Sequence, residues 1–293
     1  MKRYLALQKI VQYGSFAKAA EEIGYTQSAL SQAIASLEDE LGMTLLTRSR
    51  TGSALTDEGK ELYPYIERTI FQYRASVEKA KEINGLETGI VRMGTVASVS
   101  VNWLPGILKN FHKMYPGVEV VVYQGDYTMI EEWLKSGEID FGFVSSEHVK
   151  GIEVFPLIED TFSAVLPPGH PLTDFEEVPI ELLAKEPFIM LEMGHHSECE
   201  GAFADCGIQP KVRYKFHDDY TIMAMVEQNM GVSLLADLVM KRAPFDIEKR
   251  PVSPPVKRII SIGYRNKLEL PIAAKKFIYH IIEYVNSIKK TED

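Results

Sequence analysis

Two groups of side chains in this 293-residue chain have the types and spacing to do chemistry. The first is Gln27, Ser28, Ser31, Gln32 and Ser36, with Thr26 just before them. Leu30, Ile34, Leu37 and Leu41 run through the same stretch at helical spacing and make one apolar stripe. The opposite side carries short hydroxyls and amides, and carboxylates begin only at Glu38-Asp39-Glu40. Such a face can enter a DNA major groove, where Gln pairs with adenine edges and carboxylates would repel phosphates. The second group is His195, His196 and Cys199, with Glu192 or Glu198 beside them. These are transition-metal ligand types. Adjacent loop histidines point apart, however, and no further ligand stands at a standard spacing, so neither a metal nor another cofactor is expected. Cys199 and Cys206, on one helix, are too far apart for a strain-free bridge. The expected role of His195 and His196 is hydrogen bonding to a small ligand, with an anion as the suggested chemistry.

No catalytic set emerges. The chain has no Gly-x-Ser-x-Gly elbow, no phosphate-loop Gly-Lys-(Ser/Thr) and no His-Glu-x-x-His. The expectation is a protein that is not an enzyme. Neither a signal peptide nor a membrane-length apolar run is read, which suggests a soluble, cytoplasmic chain without membrane partners. The formal net charge is −9, yet residues 1–60 balance seven Lys/Arg against seven Asp/Glu. Lys2, Arg3, Lys18, Arg48 and Arg50 are the local cations available to phosphates.

The elements that position these groups can be read locally. Residues 3–12 form a helix, and Ser15 caps a second that ends at Gly24. Thr26 caps the third, after a tight turn, as in a helix-turn-helix. Beyond Asp57 the stripe Leu62, Ile66, Ile70, Tyr73 and Val77 marks one long amphipathic helix. It must pack on its own domain or on a second subunit. From Ile90 strands and helices alternate in two blocks: 91–96, 102–114, 118–123, 128–136 and 139–144, then 187–191, 198–206, 211–216, 220–230 and 232–235. Two α/β lobes with mostly parallel sheets follow from that order, with a turn at Pro168–Pro171 between them.

The run from Gly14 to Gly59 resembles the DNA-binding signature of the LysR-type transcriptional regulators. Thr26-Gln27-Ser28-Ala29-Leu30-Ser31, Ile34, Leu37-Glu38, Leu41-Gly42, Leu45 and Arg48 meet the family pattern. "VRMGTVASVSVNWLPGILKNFHKMYPGVEVVV", "SGEIDFGFV" and "LPPGHPL" extend the likeness over nearly the whole chain. Departures are Gln32 and Ala35, where the family often has basic residues, and Asn229 and Ala236, where it usually has Gly and Pro. Peroxide-sensing members have a reactive Cys where this chain has His196.

The resemblance implies a winged helix-turn-helix at 1–57 with a recognition helix at 26–38. It implies a dimerising linker helix at 58–87 and a periplasmic-binding-protein-like (type 2) effector domain at 90–293, with lobe I at 90–160 and 266–293 and lobe II at 161–265. DNA contacts are expected from Ser15, Thr26, Gln27, Ser28, Ser31, Gln32 and Ser36, and from Arg48, Arg50 and Thr51 on the wing. Subunit contacts are expected from Leu62, Ile66, Ile70, Tyr73 and Val77. Effector contacts are expected from Ser98, Ser100, Thr128, His195 and His196, at strand ends that enter helices. The implied partners are dyad-symmetric double-stranded promoter DNA, a small-molecule effector, further copies of the chain as a dimer of dimers, and RNA polymerase. A stand-alone solute-binding protein would leave residues 1–57 unused, and a DNA-organising protein would leave the lobes unused.

Overall fold

The computed structural model describes residues 1–49, 52–83, 88–146, 149, 151–194 and 197–292. The chain divides into two compact units between Ile83 and Thr88.

The first unit holds α1 (Lys2–Tyr13), α2 (Phe16–Glu22), α3 (Gln27–Leu41), a hairpin of β1 (Leu46–Ser49) and β2 (Gly52–Leu55), and α4 (Asp57–Ile83). Local chemistry sets the helix ends. Ser15 Oγ accepts from the Lys18 N–H, and Thr26 Oγ1 accepts from the Ala29 N–H. Gly42 ends α3 in the left-handed region, at φ 68°, which costs glycine nothing. Leu7, Ile10, Phe16, Leu30, Ile34 and Leu37 meet in one core. Glu38 Oε1 accepts from the N–H groups of Leu45 (2.6 Å) and Leu46 (3.1 Å), tying α3 to the hairpin. Thr56 Oγ1 donates to the Thr44 carbonyl and accepts from the Gly59 N–H, starting α4. A side chain at Gly59 would strike the Leu45 carbonyl, so only glycine fits there.

The 27-residue α4 corrects one expectation. Ile66 and Ile70 are 3% and 1% exposed and belong to the core of their own unit, and Leu62 packs against it. All three are expected above to face a second subunit. The reason for the difference is size: three short helices cannot close a core alone, and the fourth supplies the missing apolar wall. Further along the helix, Tyr73 and Val77 stay 47% and 38% exposed.

The second unit runs through β3 (Gly89–Thr95), α5 (Ala97–Asn102), α6 (Leu104–Met114), β4 (Val118–Gln124), α7 (Tyr127–Ser136), β5 (Phe141–Ser145) and β6 (Glu153–Leu166). It continues with β7 (Val178–Pro179), α8 (Ile180–Leu183), β8 (Pro187–Leu191), α9 (Glu198–Asp205), β9 (Lys211–Phe216) and α10 (Asp219–Glu227). Last come β10 (Ser233–Ala236), α11 (Asp237–Met240), β11 (Glu248–Ser253), β12 (Lys257–Tyr264) and α12 (Ile272–Glu292). The helix expected over 102–114 is α6, which starts at Leu104 with Pro105 in its first turn, and the loop expected before it is the short helix α5. Asn229, in place of the usual Gly, takes a left-handed φ of 56°, which Asn tolerates.

Two cores define the lobes. One gathers Phe111, Phe141, Phe143 and Phe277, and the other Phe188, Phe203 and Leu234. β3 is parallel to β4 and β5, and β8 is parallel to β9. The large sheet is nevertheless mixed, because β6 and β12 run antiparallel to their neighbours. β6 pairs with β12 up to Thr161 and with β10 from Phe162 onward, so it carries the chain from one core into the other. β12 brings it back. Ile260, Ile262 and Tyr264 lie in the first core, so the return falls at Lys257 and not at the expected 266. Pro168–Pro171 follows the crossing and sits inside the second lobe.

Candidate functional site

The polar side of α3 is open. Gln27, Ser28, Gln32 and Ser36 are exposed, and Ser31 is half-buried. Thr26 and Ser28 share a hydroxyl contact of 3.1 Å at the start of the helix. Arg3 from α1 donates to the Ser36 carbonyl and hydroxyl at 3.1 and 3.0 Å and pairs with Glu40. Ser36 and Ser15 therefore already have structural work, one as an acceptor for Arg3 and the other as a cap. The hairpin pairs Arg48 with Ser53, as a wing would. The Arg48 side chain, and all of Arg50 and Thr51, lie outside the described residues.

A cleft of about 430 Å³ opens between the two lobes of the second unit. Its walls are the ends of β3 and β4 in one lobe and of β8 and β9 in the other, where open α/β sheets collect ligands. At its floor lies Arg258 on β12, whose direct cross-strand partner behind it is Asp160 on β6, where the chain passes between lobes. Asp160 Oδ2 accepts from Arg258 Nε and Nη2 at 2.9 and 2.7 Å, while Asp160 Oδ1 accepts from the Leu238 N–H. Arg258 Nη2 also donates to Ser98 Oγ (3.1 Å), and Nη1 donates to the Tyr127 hydroxyl (3.3 Å). Burial opposes the guanidinium charge, but Tyr127, Asp160 and Glu198 outweigh it and raise the pKa of Arg258. Burial pushes the Tyr127 phenol up to about 12, so it stays protonated.

Above this floor the walls are acidic. Asp126, Glu192, Asp218 and Asp219 all line the cleft. Asp126 Oδ1 caps the Met129 N–H, and Asp218 caps α10 through the Thr221 N–H. Glu192 faces Lys215 and His217, each at 3.5 Å. Asp219 is the exception: its Oδ1 is buried and accepts no hydrogen bond. Burial raises its pKa to about 6, against the pull of Arg258.

Of the five side chains expected at the cleft, Ser98 lines it. Ser100 does not, since its hydroxyl turns to Thr95 Oγ1 at 3.2 Å. Thr128 lies beside the Gly194 backbone and is not part of the lining either. His195 and His196 fall outside the described residues. The acidic lining also runs against the anionic effector suggested above: the only described Lys or Arg in the lining, Arg258, is already neutralised by Asp160. Sequence reasoning missed Arg258, Asp160 and Tyr127, which come from three distant segments and share no motif. Among the described residues no group of three or more His, Cys, Asp or Glu is placed to hold a metal. Burial, with Glu200 and Glu198 nearby, pushes the Cys199 thiol well above its usual range, which disfavours the reactive thiolate. No helix among the described residues is long and apolar enough to cross a membrane.

A helix-turn-helix with a hairpin wing, on the same chain as a two-lobed ligand-binding domain, defines a DNA-binding regulator with its own sensing module. Residues 1–60 match the bacterial regulatory helix-turn-helix protein model of the lysR family, and residues 84–286 match the LysR substrate binding domain. The chain belongs to the LysR family of transcriptional regulators, which are DNA-binding proteins and not enzymes. Among its relatives is the uncharacterized HTH-type transcriptional regulator YvbU of Bacillus subtilis, 29% identical over 277 residues, 92% of this chain and 93% of that one. Full-length OxyR from Pseudomonas aeruginosa, as a point variant, shares the fold with a TM-score of 0.74 at 22% identity over 97% of this chain and 92% of that one. Full-length CbnR complexed with its target DNA does so at a TM-score of 0.65 and 20% identity, over 97% and 99% of the two chains.

Proposed function

We propose that this regulator reads a dyad-symmetric promoter site through α3 and responds to a small effector held in the interlobe cleft. The observation that carries the DNA half is the open side of α3 from Gln27 to Ser36, free of carboxylates and opposite a fully buried Leu30-Ile34-Leu37 stripe. Gln27, Ser28 and Gln32 read base edges or adjacent phosphates, and Arg48, Arg50 and Thr51 on the wing hold the backbone. A two-fold site calls for a two-fold protein, assembled as a dimer or a dimer of dimers. Exposed Tyr65, Tyr73 and Val77 on α4 are its candidate contacts. The setting is the cytoplasm, at promoters, within reach of RNA polymerase. The effector acts by favouring one arrangement of the lobes.

Selection of duplexes from a random pool by the full chain tests this. Two half-sites related by a dyad are expected, with Gln32→Ala relaxing one position in each. Arg50→Ala should instead weaken all sequences alike and flatten the salt dependence by about one unit of slope. A selected pool with no shared sequence would reject the reading.

A further inference from the structure

We infer that the cleft takes a small organic cation, an amine or guanidinium on a compact apolar body. The inference rests on the cleft being the effector site. Asp126, Glu192, Asp218 and Asp219 stand in its walls, while the one guanidinium at the floor is matched by Asp160. Lys215 offsets Glu192 in part, from outside the lining. A carboxylate ligand would add a further negative charge to this set, whereas an ammonium would relieve it, and low-dielectric walls strengthen either effect.

Asp219 gives a second and independent pointer. One of its oxygens is buried and has no donor, in a wall where nearly every other polar group is matched. Buried acceptors are normally satisfied, and a ligand N–H supplies what the protein does not. The titration of Asp219 agrees: burial holds its proton up to about pH 6, and a cation beside it would favour release. The apolar part of the lining sets the body of the ligand. Met129, Met193, Leu191 and Val239 offer soft, adaptable surface. Phe162 adds a ring, one side of which already lies 5.7 Å from the Arg258 guanidinium. No described cluster fits a bare metal ion, so the charge belongs on an organic group.

Matched pairs of opposite charge test the class on the full-length protein: benzylamine against benzoate, and cyclohexylamine against cyclohexanecarboxylate. At about 10 mM and constant ionic strength, even a Kd of about 1 mM fills about nine-tenths of the sites. The amines should raise the melting temperature and the carboxylates should not. Asp219→Asn and, separately, Asp126→Asn, which keeps the cap, should each weaken amine binding by about tenfold. Ala97→Phe, which fills the cleft, should abolish it. If the carboxylates bind and Ala97→Phe abolishes that binding, the cleft reading stands and the cationic class is overturned. An amine shift that survives all three substitutions places the ligand elsewhere and overturns both. No shift from either amine overturns the class.

Discussion

The polar side of α3 and the interlobe cleft, the two surfaces proposed for recognition, are built in opposite ways. The first lies on one helix, and every side chain on it is placed by the same 3.6-residue repeat that buries Leu30, Ile34 and Leu37. The second is assembled from strand ends between Val96 and Arg258, and Arg258 at its floor is held in a cross-strand ion pair with Asp160. The helix face is free of carboxylates where DNA would meet it, and the cleft is rich in them. A local surface inherits its chemistry from a short stretch of sequence, whereas an assembled one can reverse the charge that any single stretch suggests.

The strongest way to break this comparison is at the cleft floor. Arg258→Ala leaves Asp160 buried without its partner, and Ser98 and Tyr127 without a donor. A loss of about 3–5 kcal/mol is expected in urea unfolding of the effector domain, because removing one partner strands a buried charge. The helix-turn-helix should keep its own transition. A near-neutral result would mean the buried ion pair is dispensable.

On the other side, Ile66→Asp should unfold the DNA-binding unit rather than merely separate subunits, at a cost of about 3–4 kcal/mol for a charge placed in its core. Val77→Asp, at an exposed position of the same helix, should leave melting unchanged and reduce the light-scattering mass. If both variants behave as folded monomers, the assignment of α4's two faces is wrong.

A smaller effect separates reading from folding on α3. Gln32→Ala should cost about 1–3 kcal/mol at one base position while leaving stability intact. Thr26→Ala should cost about 1 kcal/mol of stability through the lost cap to the Ala29 N–H. Binding titrations beside thermal melts would show the two losses in different columns, or show that Thr26 is a reader as well.

A further effect, read as a change with pH rather than as a fixed loss, is expected at Asp219. Its folded pKa, about 6, lies above the ordinary carboxyl value of 3.8, so the folded state holds the proton more tightly than the unfolded chain. The contribution of this group is most favourable below about pH 4 and declines as pH rises through 6. Asp219→Asn removes that decline. The melting-temperature gap between variant and parent should therefore widen from pH 4 to 6 and then level off. A constant gap would mean that Asp219 is not the group losing its proton there.

The amino-acid order alone determined the Ser15 cap of α2, the Thr26 cap and apolar stripe of α3, and the alternation of strands and helices, because each follows from contacts within a few residues along the chain, while the hairpin wing was implied by the family resemblance. It also placed Ser98 at the cleft, at the end of the first strand of the effector domain. Tertiary structure decided the rest. The stripe of α4 reads the same whether its partner is its own domain or another subunit, and only the folded core shows Ile66 and Ile70 already taken. The return of the chain to the first lobe at Lys257, and the pairing of Arg258 with Asp160 across 98 residues, have no local signature at all. The charge of the cleft is likewise a sum over segments that meet only in three dimensions, and Coulomb energy depends on distance in space rather than along the chain.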